Sequence, residues 1–218
     1  MRVWNIFLDL LFPPKCPFCR GVLDDPRASL CPGCQPVLPW LEKKQALRKV
    51  AFTAGCYSPL EYRDRVRESI HRFKFGSVRA YAAPFGALMA QCVSDHGEIN
   101  ADLVTWAPLS RKRLRQRGYD QAGLLAREVG ERLDLPVVRT LNKNRHTQRQ
   151  SDLHDHAQRR ANVLGAYVLR PGADVRGKRV LLVDDVVTSG ATLSSCAKVL
   201  HQAGAEEVWC VTLAQAGK

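Results

Sequence analysis

Two neighbouring carboxylates and a short hydroxyl-rich turn, Asp184-Asp185 and Thr188-Ser189-Gly190-Ala191-Thr192, are the residues of this chain best suited to chemistry. The turn opens a helical pattern, so backbone N–H groups of the first turn point at any anion lying there. Gly190 lets the backbone come close to that anion, and Thr188, Ser189 and Thr192 add hydroxyl donors. No lysine stands in the turn to act as a point charge, which excludes a nucleoside triphosphate loop of the Walker kind. Two acids just before a phosphate cradle would repel the phosphate unless they hold something else. Ribose hydroxyls or Mg2+ are the natural candidates. The pattern predicts a ribose 5-phosphate site with Asp184 and Asp185 as its catalytic pair.

A second set is Cys16-Pro17-Phe18-Cys19 and Cys31-Pro32-Gly33-Cys34, two C-x-x-C pairs with eleven residues between them. Each pair brings two thiolates onto one tight turn, and two such turns supply the four sulfurs of a closed, structural Zn2+ site. The short spacing favours a compact pair of knuckles over a long ribbon. A thioredoxin-like redox pair would need one C-x-x-C on a βαβ frame, whereas here there are two on a Pro-rich lead. Cys56, Cys92, Cys196 and Cys210 stand among apolar residues and are expected in the core.

Cations form the third set. Arg111, Lys112, Arg113, Arg115 and Arg117 fall within seven residues and directly follow a predicted strand, Asp102 to Ala107. If the sheet is parallel, this loop faces the same edge as the phosphate turn and could hold a pyrophosphate leaving group. An exposed basic loop is the alternative. The polar stretch from Lys143 to Ser151 reads as a lid that excludes water, with Arg145, Thr147 and Gln148 as contacts.

The elements that must position these groups follow from periodicity. Val180 to Val183 reads as a buried strand ending at the acids, and Leu193, Cys196, Ala197 and Leu200 as the next helix, up to Gly204. Tyr62, Val66, Ile70 and Phe73 make one apolar helical face, with Arg63, Arg67, Arg72 and Lys74 on a solvated one. Helices are expected from Ser77 to Val93 and through Leu133, and strands at Val50 to Tyr57 and Gly165 to Leu169. Val3, Trp4, Phe7, Leu10 and Leu11 suggest a short docked N-terminal helix. The chain of 218 residues, 45% hydrophobic, is long enough for one α/β core with a small appendage, divided here as 1–40 and 41–218. A net charge of +12 points to acidic partners, a polyphosphate or nucleic acid. No apolar run is long enough for a transmembrane segment and no signal peptide is legible, so a cytoplasmic protein is expected.

The apolar run, Asp-Asp and Thr-Ser-Gly-Ala-Thr together resemble the phosphoribosyl pyrophosphate motif of type I phosphoribosyltransferases. The match extends further. The four-cysteine module, RGYDQA at Arg117 to Ala122, Thr147-Gln148 with Leu153, and the R-x-x-N-V-x-G-A-Y run ending at Tyr167 resemble the ComF/GntX family over essentially the whole chain. One departure is visible, since Arg149-Gln150-Ser151-Asp152 separates Gln148 from Leu153 and leaves the register of the lid open. The resemblance implies an α/β type I phosphoribosyltransferase fold, a mainly parallel sheet flanked by helices, behind a four-cysteine zinc module. It implies binding of phosphoribosyl pyrophosphate with Mg2+ and a role in DNA uptake, natural transformation or use of external DNA. Single-stranded DNA and other competence proteins become candidate partners. Two readings stay open: a phosphoribosyltransferase with an unidentified acceptor, and a DNA-binding protein whose ribose-phosphate pocket is a sensor or relic. In the second, Trp40, Tyr62, Phe73 and Phe75 would stack bases.

Overall fold

The computed structural model describes residues 13–76, 78–97, 99–143 and 165–217. The expected N-terminal helix and the lid residues Arg145, Thr147, Gln148 and Leu153 lie outside them.

Eight strands are described: β1 (Leu47–Arg48), β2 (Gly55–Tyr57), β3 (Leu60–Glu61), β4 (Leu103–Trp106), β5 (Leu141–Lys143), β6 (Tyr167–Leu169), β7 (Arg179–Val187) and β8 (Glu207–Gln215). Five helices accompany them: α1 (Asp64–Phe75), α2 (Ala82–His96), α3 (Arg111–Arg117), α4 (Gln121–Leu133) and α5 (Ala191–Gln202). The main sheet runs β1-β2-β8-β7-β4, with β3 also on β8, and every pairing but β1–β2 is parallel. β5 and β6 form a separate antiparallel pair.

Parallel strands need both faces covered, and the two longest supply the surface. On β7, Leu181 and Val183 join a core with α1, α2 and α4, while Val180 and Leu182 join a second core with α5 and the β5–β6 pair. Cys56, Cys92, Cys196 and Cys210 are all buried, as their apolar neighbours predict. Cys16, Phe18, Leu23, Leu30, Cys34 and Leu38 belong to the first core, so the cysteine module packs directly on α1 and α2.

Where the chain leaves the sheet decides where a ligand can sit. From β7 it passes through α5 to β8 on one side, whereas after β4 and α4 it returns at Val137, which bridges Val104 in parallel on the other. The crevice beyond the carboxyl ends of β4 and β7 is therefore a point where connections diverge, the usual ligand position in open α/β sheets.

The far ends of the same two strands are pinned by charge. Asp102 accepts hydrogen bonds from Arg179 Nη2 (2.7 Å), Nε (3.2 Å) and N (2.8 Å). These bonds lower Asp102 from 3.8 to about 2. A depressed carboxyl stabilises the fold above its unfolded value and loses that contribution as pH falls through the folded one. Asp102→Asn is expected to melt below the parent at neutral pH, with the gap closing between pH 3.8 and about 2. A gap equal at pH 2 and pH 7 would assign the loss to shape instead of charge.

Candidate functional site

β7 does not stop at the acids as expected. It runs to Val187, because β8 continues alongside and pairs Asp184 with Thr212 and Val187 with Gln215. β4 ends four residues earlier in register, with Trp106 opposite Val183. Both acids thus stand on an extended strand, where neighbours point to opposite faces.

Asp185 faces the first core and is engaged there. Lys74 Nζ lies 2.6 Å from its Oδ1, and Gln121 Nε2 donates to its Oδ2 at 3.1 Å. Lys74 does not lie on a solvated face, as its charged neighbours suggest; the C-terminal turn of α1 carries it to the sheet edge. The same helix grips the cysteine module, since Ser69 Oγ donates to Pro17 O and Arg72 Nη2 donates to Pro17 O and Phe18 O.

The RGYDQA segment explains how Gln121 arrives. Gly118 takes φ +74° at the end of α3, and Tyr119 donates its hydroxyl to Phe73 O on α1. Asp120 caps α4 through Gly123 N and accepts from Trp106 Nε1 and Leu109 N, both at 3.2 Å. The motif aligns α1, β4 and α4 around Asp185.

Asp184 faces the second core. Its Oδ1 accepts the Asp185 N–H at 2.8 Å. Burial and then the adjacent Asp185 carboxylate push Asp184 well above the usual carboxylate range, to about 8. Beyond it the chain turns at Gly190, φ +76°, a left-handed conformation that glycine adopts freely. Gly190 is the N-cap of α5, and its carbonyl accepts Ser194 N. The predicted turn from Thr188 to Thr192 therefore sits at a helix start, where N–H groups converge on an anion. Within the turn, the Ala191 N–H reaches Ser189 Oγ only at a long 3.5 Å.

The basic segment is a helix and not a loop. Ser110 caps α3 by accepting Arg113 N, and Gly118 closes it, so the arginine-rich stretch carries ordinary start and stop signals. Arg113 comes near Asp184's face, close enough to act electrostatically on Lys143 and Tyr167. Arg111 and Lys112 are exposed, and Arg117 lies over the Phe75 ring at 4.7 Å.

Two residues that sequence reasoning did not single out complete this face. Lys143 Nζ donates to Tyr167 Oη at 3.0 Å across the β5–β6 pair, where the two residues are register partners. The Tyr167 oxygen is also hydrogen-bonded with the Thr192 side chain. Burial and the like charge of Arg113 pull Lys143 below the ordinary lysine value. The sign available in sequence was Tyr167 closing the R-x-x-N-V-x-G-A-Y run.

The stacking surface envisaged for bases is not assembled. Phe73 is fully buried, Trp40 and Tyr62 pack on the first core with Trp40 donating to Gln35 O, and only Phe75 of the four is exposed, beneath Arg117.

In the cysteine module, ligand atoms of Cys16, Cys19, Cys31 and Cys34 all lie within 4.8 Å of one another, with Cys19 and Cys31 Sγ 3.5 Å apart. Tetrahedral Zn2+ with Zn–S bonds of about 2.3 Å needs sulfurs about 3.8 Å apart, so the donor set fits a structural zinc.

Among the described residues, no helix is long and apolar enough to cross a membrane. A family model described as "Phosphoribosyl transferase domain" matches residues 115–218, and one described as "Double zinc ribbon domain" matches residues 7–46. The chain is 28% identical to "Competence protein F" of Haemophilus influenzae, across 93% of this chain and 97% of that protein. It is 29% identical to "DNA utilization protein YhgH" of Salmonella typhimurium, across 90% and 88%. With "Competence protein ComFC" of Bacillus subtilis the identity is 24%, across 90% and 82%. Among solved structures it is similar to glutamine phosphoribosylpyrophosphate amidotransferase from B. subtilis, at 26% identity and a TM-score of 0.44 over 64% of this chain and 30% of that one. That likeness is too loose to bear on the site. Both matched domains, in this order, and relatives aligned along most of its length make the chain similar to competence proteins of the ComF kind, with a zinc ribbon ahead of a phosphoribosyltransferase fold.

Proposed function

We propose that the chain binds phosphoribosyl pyrophosphate with Mg2+ at the carboxyl ends of β4 and β7 and transfers its ribose 5-phosphate to an acceptor. The reading rests above all on Asp184, which faces the same side as the phosphate turn while Asp185 is held by Lys74 and Gln121. In it the turn from Thr188 to Thr192 holds the 5-phosphate and Asp184 is the ribose contact. Asp185 orients the strand. Arg113 meets the pyrophosphate as negative charge grows on the leaving group, with Arg111, Lys112 and Arg117 as a wider basic surround. Mg2+, when bound, neutralises diphosphate oxygens, and a carboxylate is a suitable hard ligand for it. Arg145 and Gln148 remain proposed lid contacts, and residues 1–40 and 41–218 the proposed division of labour.

The names of the relatives support a setting in DNA uptake or use of external DNA. Isothermal titration of phosphoribosyl pyrophosphate with and without Mg2+ tests the binding reading. Mg2+-dependent binding is expected, and above pH 8, where Asp184 is ionised, Asp184→Asn should weaken it at least about tenfold, the loss of one charged contact. Absence of Mg2+-dependent binding, or equal affinity in Asp184→Asn, refutes it. A second reading, single-stranded DNA binding, draws on the exposed cations Arg111, Lys112 and Arg115 of α3. Filter binding across salt concentrations decides it, because an affinity indifferent to salt rejects phosphate contacts.

A further inference from the structure

The phosphate turn holds hydroxyls and backbone N–H groups but no cation, and a phosphate monoester brings close to two negative charges. The fold places a cation beside it from far along the chain. β5 and β6 pack on α5, with Leu141 and Tyr167 in the same buried cluster as Ala191, Leu193 and Cys196. Their last and first residues, Lys143 and Tyr167, face each other in register. The Tyr167 oxygen is hydrogen-bonded to the Thr192 side chain on one side and receives Lys143 Nζ at 3.0 Å on the other. Nζ also lies 4.8 Å from the centre of the Tyr167 ring. The ammonium is therefore held next to the first turn of α5 by an aromatic side chain that is itself buried.

We propose that Lys143, oriented by Tyr167, is the cation that neutralises the 5-phosphate of the sugar ligand at the turn from Thr188 to Thr192. This rests on the ribose-phosphate reading above and deepens it, since it separates the two anionic ends of the ligand. Lys143 serves the ribose 5-phosphate end, while Arg113 serves the pyrophosphate end. An ammonium on a flexible stem can adjust to a phosphate seated in the turn, and the Tyr167 hydroxyl limits where that stem points.

Titrations of ribose 5-phosphate, pyrophosphate and phosphoribosyl pyrophosphate into the full chain separate the possibilities. Lys143→Met is expected to weaken ribose 5-phosphate about tenfold, as for loss of a charge-assisted contact, and to leave pyrophosphate unchanged. Lys143→Arg should restore most of the loss. Tyr167→Phe, which keeps the ring but frees the ammonium, should cost less than Lys143→Met. Equal ribose 5-phosphate affinity in Lys143→Met and the parent overturns the assignment while the ribose-phosphate reading stands. A loss confined to pyrophosphate overturns it as well. Failure of the parent chain to bind either ribose phosphate brings down both. A second measurement needs no variant: ribose 5-phosphate should slow acetylation of Lys143 by acetic anhydride several-fold, read by mass spectrometry. Unchanged labelling counts against the proposal.

Discussion

Cys34→Ser protein is expected to carry less than one zinc per chain and to melt roughly 10 °C below the parent, a shift that follows from the contacts the module makes. Cys34 is almost fully buried, and its sulfur is one of four within 4.8 Å. With three ligands the closed tetrahedron opens, and the binding energy of a structural zinc is folding energy. The loss spreads past the metal because the module shares the first core: Phe18 packs on Phe85 at 5.8 Å between ring centres, and its backbone carbonyl receives Arg72. Releasing that contact costs about 3 kcal/mol, as for truncating a buried phenylalanine, and each kcal/mol moves the midpoint of a chain this size by about 2–4 °C. Zinc content by atomic absorption and thermal melts check it. Full occupancy with an unshifted melt in Cys34→Ser would show that these four sulfurs are not the metal's ligands.

Lys74→Met should be the second large effect, a destabilisation of about 3 kcal/mol in urea unfolding. The substitution keeps the apolar stem of the side chain and removes only its ammonium, so packing changes little. What remains is the Asp185 carboxylate, 8% exposed, with the Gln121 amide as its side-chain donor among the described residues. Adding Asp185→Asn should return most of the lost stability, since a neutral amide costs far less to bury than a charge. The double-mutant cycle therefore has a large coupling of restoring sign. Additive losses in the double variant would mean that the ion pair is not what Lys74 contributes.

The turn, the acids and the four cysteines are legible because each is written contiguously: the spacing is the chemistry, and one helix start or one pair of knuckles needs no distant partner. The cores are legible from period. The missing parts depend on long-range contact. Lys74 looks like one more solvated cation because nothing near it in sequence reveals that α1 ends at the sheet edge. Lys143 looks like the first residue of a polar lid, and only the β5–β6 pairing puts it on Tyr167. The basic segment reads as a loop because its charge dominates the pattern, although Ser110 and Gly118 mark the two ends of a helix. The RGYDQA match is visible, but its physical task is not: Tyr119, Asp120 and Gln121 each bond a different element, and those bonds exist only once the chain is packed.

The alternating pleat of β7 has a further consequence. Adjacent acids of identical type acquire separate environments merely by being one residue apart, so the sheet sorts them by parity. A single-residue deletion between Arg179 and Val183 would slide the strand by one step and swap the faces of the two acids, moving Asp185 to the place of Asp184 and Asp184 to that of Val183, and setting Val186 beside the lysine. Every apolar residue in the shifted stretch would cross the sheet with them. Tolerance of length change should therefore be lowest in this segment, even where the substitution of either acid by its amide is accommodated.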